Sequence, residues 1–327
     1  MSSRSGAVKQ FSPLHNWNPP PVRAVDVHPS GKTVIVAMND TAGEGPHIVS
    51  LDDGKSTSLK RCLPVRVYNS VSFSTDGKLA AAVAVHGEPS LHGIELWDLK
   101  TGQCRVIEPS RGKASFIVKF APDGTLFSGD SDGNLYAWNL KKGISKQFRI
   151  GMGLVTGLAI SNDGRFGAAS ALTARKWDDV PPSTSALKVI DFKNDTIYPV
   201  ESHGTRVFSV AMDAKGTRLI TGDLDGDVRA GPISGDTPHL LLGHKSHVGD
   251  VSISPDGKWI ASIGLEELEV RQWPMPTGQP LNGLPYEEFM RQLKSFTNVR
   301  AVPDKNTALG YRLEITPVEG WNFPSSD

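Results

Sequence analysis

Alternating carboxylates are the first feature of this sequence that could bind a ligand. In "GDLDGDVRAG", Asp223, Asp225 and Asp227 stand at every second position, as the oxygen ligands of a calcium loop do. A calcium loop also needs glycine at its sixth position and glutamate at its twelfth, where this chain has Val228 and Ser234. We therefore interpret the stretch as a turn between strands, and we predict no metal and no other cofactor.

The motifs of nucleotide binding and catalysis are incomplete. "GMGLVTG" has its third glycine one position too late for a dinucleotide fingerprint, and a strand pattern follows it where a helix is required. His244 and His247 are close in sequence, but no further histidine, cysteine or carboxylate cluster completes a tetrahedral metal site. No nucleophile elbow, His-Glu-x-x-His pair, Walker loop or Cys-x-x-Cys motif occurs. We predict no catalytic residue and expect that the chain is not an enzyme.

The charge and the apolar content of the chain disfavour several kinds of partner. Lys and Arg total 35, as do Asp and Glu, so the net charge is zero and provides no field for nucleic acid or an anionic membrane. No signal-peptide core is recognisable, and no stretch approaches the roughly 20 apolar residues of a membrane span. Cys62 and Cys104 are interpreted as small buried apolar groups, because two cysteines make no dense disulfide framework. We expect a cytoplasmic monomer that binds neither nucleic acid nor membrane.

A strand followed by a glycine-containing turn recurs along the chain, as in "YNSVSFSTDG" and "VGDVSISPDG". Apolar residues alternate with small or polar ones, which indicates a strand, and the turn glycine can adopt the positive φ of a tight hairpin. The six turn glycines are Gly31, Gly77, Gly124, Gly164, Gly216 and Gly257, spaced by 46, 47, 40, 52 and 41 residues. A period of roughly 40 to 45 residues with four strands in each repeat is typical of propeller blades.

Tryptophans near the end of the third strand add a family resemblance. Trp97-Asp98 in "IELWDLKTG" and Trp138-Asn139 in "LYAWNLKKG" close two units, and Trp273 takes the same place in another. Gly243-His244 opens a unit four residues before Val248. Together these features resemble the Trp-Asp repeat (WD-repeat) β-propeller family, in a divergent and bacterial-type form, over residues 22–282.

The resemblance implies a hydrogen-bonded set inside each blade, made of a histidine, a serine or threonine, an aspartate and a tryptophan. Three units supply it in part: His244, Ser262 and Trp273; Ser128, Asp132 and Trp138; and His203, Thr221 and Asp225, with Gly231 in the tryptophan position. Trp97 and Asp98 are structural residues of the second unit. We name the residues of these sets the blade set.

The stretch "SALTARKWDDVPPSTSAL" contains a Trp-Asp pair, Trp177-Asp178, that does not close a strand. Alignment of "LKVIDFKNDTIYPV" with "IELWDLKTGQCRVI" gives the strand-closing position to Ile190-Asp191. Trp177 then belongs to an insertion between the second and third strands of its unit, which explains the 52-residue spacing. Shorter insertions stand at the same point of the first unit ("NDTAGEGP") and the second ("VHGEPSLHG"). All three are predicted to leave one face of the molecule.

The C-terminal residues are predicted to complete the ring. "NVRAVPDKNTALGYRLEITPV" indicates a strand, a turn and a strand, and "LPYEEFMRQLKSF" predicts one short helix near 285–296. The sequence thus predicts an all-β fold, a seven-bladed β-propeller of four-stranded antiparallel blades in a single domain, 1–327. Its clear repeats span 22–282. The helix and an atypical last blade occupy 284–327, and an N-terminal strand from "AVKQFSPL" closes that blade.

Residues on the face that carries the insertions are the candidates for binding a partner. Trp177 is surrounded by charged residues and followed by two prolines that stiffen the loop, and tryptophan and arginine are frequent at interface hot spots. Self-packing of Trp177 on its own scaffold is the alternative. The candidates are Trp17, His86, Arg175, Lys176, Trp177, Asp178, His203, Arg206 and His247.

Three functions remain open from the sequence. The first is a noncatalytic scaffold that binds a protein or peptide on the loop-bearing face. The second is an enzymatic propeller, lactonase-like or quinone-dependent, although no convergent carboxylates or metal ligands support it. The third is an accessory module of a kinase or protease signalling system, because the C-terminal stretch resembles the tail of bacterial propellers that accompany such modules.

Overall fold

The computed structural model describes residues 22–38, 45–64, 67–85, 93–107, 115–173, 186–266, 270–278, 280, 284–288, 291, 299–303 and 311–315. The chain divides into two compact units, Met1–Met275 and Pro276–Asp327. No helix in these described ranges is long and apolar enough to cross a membrane. The prediction of an all-β fold with little helix is confirmed.

The described residues of the first unit form six antiparallel sheets, which we call blades, and each keeps its strands in sequence order. The first and second blades are β1 (Val22–Val27), β2 (Thr33–Met38), β3 (His47–Ser50) and β4 (Ser56–Ser58), then β5 (Val67–Phe73), β6 (Leu79–Val85), β7 (Gly93–Asp98) and β8 (Cys104–Ile107). The third and fourth are β9 (Ser115–Phe120), β10 (Leu126–Asp130), β11 (Asn134–Asn139) and β12 (Gly143–Arg149), then β13 (Leu154–Ile160), β14 (Phe166–Leu172), β15 (Ala186–Asp191) and β16 (Thr196–Pro199). The fifth is β17 (Val207–Met212), β18 (Arg218–Asp223), β19 (Val228–Pro232) and β20 (His239–Leu241), and the sixth has β21 (Val248–Ile253), β22 (Trp259–Gly264) and β23 (Val270–Pro274).

The hairpin turns follow the sequence pattern. All six turn glycines have positive φ, between 66° and 84°. In the second blade Gly77 N donates to Ser74 O at 2.9 Å. A Cβ at Gly77 would lie 2.3 Å from Nε2 of His28 in the first blade, so glycine is needed both for the turn and for this approach. The hydrogen bond from Ser74 and contacts with Lys78 lower the pKa of Asp76 to about 2, so its carboxylate stabilises the turn.

The core lies between neighbouring blades. Ala81, Val83 and Leu96 of the second blade form one buried cluster with Phe120 and Trp138 of the third. Each first strand contacts the first strand of the next blade, from β1 through β21. The second strands β6 and β14 are rich in alanine and buried almost throughout, because they are covered on both faces by adjacent blades.

The third strand of the fourth blade ends where the alignment predicts. β15 closes at Ile190-Asp191, and the chain between the end of β14 at Leu172 and the start of β15 at Ala186 is the predicted insertion. The prediction that Ile190-Asp191 closes this strand is confirmed. Trp177 itself lies outside the described residues.

The second unit contains the predicted pair of strands. β24 (Val299–Pro303) pairs antiparallel with β25 (Tyr311–Ile315), with Val299 opposite Ile315. Residues 286–288 and 291 are helical, within the predicted helix, and Arg291 Nη2 lies 2.6 Å from Glu288 Oε1. The N-terminal strand predicted to close the last blade lies outside the described residues, and the count of seven blades stays a prediction.

The cysteines differ from their prediction. Cys62 and Cys104 form a disulfide with their Cα atoms 5.8 Å apart, so the interpretation as separate buried apolar groups is wrong. Cys62 follows β4 and Cys104 opens β8, 42 residues later. The two cysteines meet because the chain that follows β4 runs beside β8, the outer strand of the next blade.

Candidate interaction rim

The sixth blade brings its three blade-set residues together. Ser262 on β22 is buried; its Oγ accepts from Trp273 Nε1 at 2.9 Å and lies 2.7 Å from His244 Nε2. One hydroxyl thus connects the chain that enters the blade with its second and third strands.

The third blade joins its tryptophan to its serine and has a second, buried aspartate in the following turn. Trp138 Nε1 donates to Ser128 Oγ at 2.8 Å, as the resemblance implies. The carboxylate that organises the turn is Asp130, which accepts from the backbone of Asp132 and Asn134 and from Tyr136 OH. Asp130 is fully buried at the end of β10, so its side chain points back into the blade. The role of Asp132 in the blade set stays a prediction.

The fifth blade has a buried turn aspartate at the corresponding place. Asp223 accepts from the backbone of Asp225 and Asp227 and from the Arg229 guanidinium. Burial raises the pKa of Asp223, and the bonds from Arg229 and the turn backbone oppose that rise. Asp225, the predicted blade-set residue, pairs with Arg206, and its role in the set stays a prediction.

His203 is an internal residue of the fifth blade. Its ring is completely buried and its Nδ1 lies 3.0 Å from Thr221 Oγ1. Its Nε2 has no hydrogen-bond partner among the residues that the structure describes. Gly231 stands beside it in the tryptophan position, where an added Cβ would meet Pro238 at 2.7 Å and His203 Nε2 at 3.0 Å. Desolvation by burial, and secondarily the charge of Arg229, lowers the pKa of His203 to about 4.

The turns between second and third strands meet the segments that enter the first strands. Leu224 N donates to Arg206 O at 3.2 Å in the fifth blade, and Leu265 N donates to His247 O at 2.8 Å in the sixth. These turns and entering segments form one edge of the first unit, which we call the rim. The three insertions lie in the connections from β2 to β3, β6 to β7 and β14 to β15, which join second to third strands as the turns at Leu224 and Leu265 do.

Arg206 has an unusual backbone on the rim. Its φ is 60°, in a region that non-glycine residues adopt rarely and that is often found at functional sites. The side chain is mostly buried and its Nη1 pairs with Asp225, whose own side chain is half exposed. The rim therefore presents a fixed carboxylate at this point, positioned by a strained arginine.

Comparison with known proteins agrees with this architecture. The family model described as "WD domain, G-beta repeat" matches residues 194–230 and 235–265, which contain the fifth blade and the start of the sixth. Over these residues the chain carries WD repeats, which fits the blades described above. A relative from Saccharomyces cerevisiae, U3 small nucleolar RNA-associated protein 21, is 24% identical over 174 residues, covering 53% of this chain and 17% of that protein.

Two further relatives match parts of the chain. An uncharacterized WD repeat-containing protein of Synechocystis is 28% identical over 134 residues, covering 40% of this chain and 35% of that protein. Echinoderm microtubule-associated protein-like 2 of Rattus norvegicus is 25% identical over 229 residues, covering 62% of this chain and 34% of that protein. The propeller thus spans well under two thirds of the length of each of these relatives.

The predicted rim residues of the propeller fall into three groups. Arg206 and His247 lie on the rim, where their backbone carbonyls accept the bonds described above. His203 is buried in the blade and has no surface to offer a partner. The others lie outside the described residues: Trp17, His86, Arg175, Lys176, Trp177 and Asp178.

The propeller also exposes apolar rim residues that sequence reasoning missed. Met152 precedes β13 and is 61% exposed, and Leu242 follows β20 and is 66% exposed. Leu265, after β22, is also exposed. Single apolar residues in connections give no periodic signal, so only their placement on the rim distinguishes them.

Proposed function

We propose that this WD-repeat propeller is a noncatalytic scaffold that binds a protein or peptide on its rim. The observation that carries the proposal is the position of the three insertions, all of which join second to third strands. The family is in general one of noncatalytic interaction scaffolds, and the names of the relatives fit such a role.

The chemistry of the rim supports a protein partner. Exposed Met152, Leu242 and Leu265 offer apolar area that loses contact with water when a partner binds. The Asp225 carboxylate, held by Arg206, adds a polar group in a fixed position, which favours a defined orientation of the partner. The blades below are rigid, so the rim groups lose little entropy on binding.

The test is a binding measurement with rim and control variants. We expect Trp177→Ala and Leu242→Asp each to weaken a partner identified by affinity purification by about tenfold or more, because loss of a hot-spot contact costs about 1–2 kcal/mol or more. Ile144→Asp on the outer strand β12, where Ile144 is also partly exposed, is the control and should bind as the wild type does. Melting temperatures measured on the same samples should change by no more than a few degrees.

Equal affinity of the wild type and both rim variants would remove the rim from the interaction. Loss of binding by Ile144→Asp as well would instead point to the outer strands of the blades.

We also propose that seven blades complete the ring, with the last one built from β24, β25 and an N-terminal strand. Two flanks of the six described blades support this. The first flank, β1, exposes Val22, Val25 and Val27. The other flank, the sixth blade, exposes Ile263 and Val270. An apolar flank of this kind in a propeller is normally covered by a neighbouring blade.

Val25→Asp in the full-length chain tests this completion of the ring. Val25 is 59% exposed. A surface position would tolerate aspartate, whereas a seventh blade packed against β1 would bury the charge and lower the free energy of unfolding by about 2 kcal/mol or more. Ile197→Asp on β16, where Ile197 is 41% exposed, is the matched control. Equal melting temperatures for the two variants would contradict the seven-blade ring.

The remaining properties stay predictions. A net charge of zero supports a partner that is neither nucleic acid nor a membrane surface, and a monomeric state is expected. A cytoplasmic location is expected from the sequence, and in a reducing compartment the Cys62–Cys104 bond would be open much of the time.

A further inference from the structure

The chain between the first and second blades is fastened to the side of the second blade. Trp97 Nε1 donates to Lys60 O at 2.8 Å. The backbone N–H groups of Cys62 and Leu63 both donate to Glu95 Oε1, each at 2.5 Å. The disulfide then joins Cys62 to Cys104 on the outermost strand β8. We call residues 59–63 the joint segment.

The acceptor for the joint segment is a buried carboxylate. Glu95 on β7 is completely buried, and its Oε2 accepts from Tyr68 OH at 2.6 Å. Burial raises the pKa of Glu95, and the hydrogen bonds from Tyr68, Leu63 and Cys62 oppose that rise. Two of those donors belong to the joint segment, so the packing of the carboxylate and the position of the segment are coupled.

The disulfide lines an open pocket of basic character. Lys60, Arg61, Gly102 and Gln103 line it together with both cysteines. Lys60 is exposed and carries a positive charge next to the disulfide, as does Arg61. A small thiol can reach the disulfide from this side, and a thiol with carboxylate groups would be attracted by the two cations.

We propose that Cys62–Cys104 is a reversible thiol–disulfide exchange site that accepts a small anionic thiol, of the glutathione class, from this pocket. The thiolate RS⁻ attacks one sulfur, an R–S–S–Cys bond forms, and the other cysteine leaves as a thiolate that takes a proton from water. A second RS⁻ attacks the mixed disulfide and releases RSSR and the second cysteine thiolate, which is also protonated. The protein gains two electrons and two protons, and two small thiols are oxidised.

Opening of the disulfide loosens the joint segment. In the reduced protein the segment is held to the second blade by its hydrogen bonds, of which two depend on the buried Glu95 carboxylate. The sulfurs and a Glu95 carboxylate oxygen lie within 4.8 Å of one another, and this nearby charge favours the protonated thiols in the reduced protein. The reduced segment then has no covalent link to β8. The inference does not depend on the proposed partner-binding function.

The first experiment measures the rate of disulfide reduction in the native protein by alkylation of free thiols and mass spectrometry. Reduced glutathione, which is anionic, is compared with cysteamine, which is cationic. We expect the ratio of the two rates to be at least about threefold higher in the wild type than in the Lys60→Ser, Arg61→Ser double variant. A transient glutathione adduct on Cys62 or Cys104 should be detected, and 1 M salt should remove the difference between the proteins.

The second experiment measures hydrogen exchange of the joint segment in the oxidised and the reduced wild type. We expect the amides of Cys62 and Leu63 to exchange about tenfold faster or more in the reduced protein, while amides of β10 and β14 are unchanged. The Cys62→Ser, Cys104→Ser double variant should match the reduced wild type.

Two results would overturn the proposal. The first would be that neither thiol reduces the disulfide unless the protein is unfolded, or that the Lys60→Ser, Arg61→Ser variant has the same ratio of glutathione to cysteamine rates as the wild type. The other is equal exchange at Cys62 and Leu63 in the oxidised and reduced proteins, which would show that the bond does not control the segment.

Discussion

Replacement of Trp97 by alanine should lower the free energy of unfolding by about 3–5 kcal/mol, the usual cost of removing a fully buried tryptophan. The Trp97 side chain is completely buried and packs in a cluster with Tyr68, Ala80 and Ala82. Its indole N–H also donates a hydrogen bond to Lys60 O. The variant therefore loses both its apolar contacts and this hydrogen bond to the chain that enters the blade. Urea denaturation followed by circular dichroism measures the change.

Two further variants separate the contributions of Trp97. Trp97→Phe keeps most of the apolar volume but removes the indole donor, so it should cost less than the alanine variant. Ile197→Ala, on the outer strand of the fourth blade, should change stability by less than about 0.5 kcal/mol, as surface substitutions usually do. A loss below 1 kcal/mol for Trp97→Ala would contradict the burial of this residue between blades.

Acidification from pH 7 to pH 4 should destabilise the propeller through His203. The pKa of His203 is lowered to about 4 in the folded protein, against a usual value of 6.5 when the chain is unfolded. Between these values the unfolded state binds the proton and the folded state does not, so stability is complete above pH 6.5 and falls as the pH decreases toward 4. The expected loss is about 3 kcal/mol, with a slope of up to about 1.4 kcal/mol per pH unit.

His203→Gln is the control for this pH dependence. The variant has no titrating ring, so its stability should change less between pH 6.5 and pH 4 than that of the wild type, even if its stability at pH 7 is lower. Denaturation curves at half-unit pH intervals give both slopes. Parallel curves for the two proteins would show that another group is responsible.

The local features of the blades could be predicted from the sequence because each depends on a short stretch of chain. The turn glycines adopt the predicted positive φ, since few other residues tolerate that conformation. Ile190-Asp191 was recognised as a strand end by alignment with Trp97-Asp98, and β15 ends there. The pairing of β24 with β25 also follows from alternating residues on either side of a turn.

The blade set shows the limit of a resemblance. Ser262 and Trp273 come together as implied, because each is fixed by its position along a strand. The sequence did not single out the buried Asp130 and Asp223 beside the predicted Asp132 and Asp225, since several carboxylates stand close together in each turn. Only the direction of the side chains at the ends of β10 and β18 identifies Asp130 and Asp223 as the acceptors.

The sequence by itself determined the repeat, the hairpins, the strand ends and the connections that carry insertions, because these depend on period and turn chemistry within a few residues. The tertiary structure alone decided that Cys62 meets Cys104, that Glu95 holds the joint segment, that His203 is buried and that Met152 and Leu242 share the rim. These facts join residues far apart in the chain or depend on which face a neighbouring blade covers. The packing of whole sheets determines these contacts and burials, and a local pattern of residues does not predict that packing.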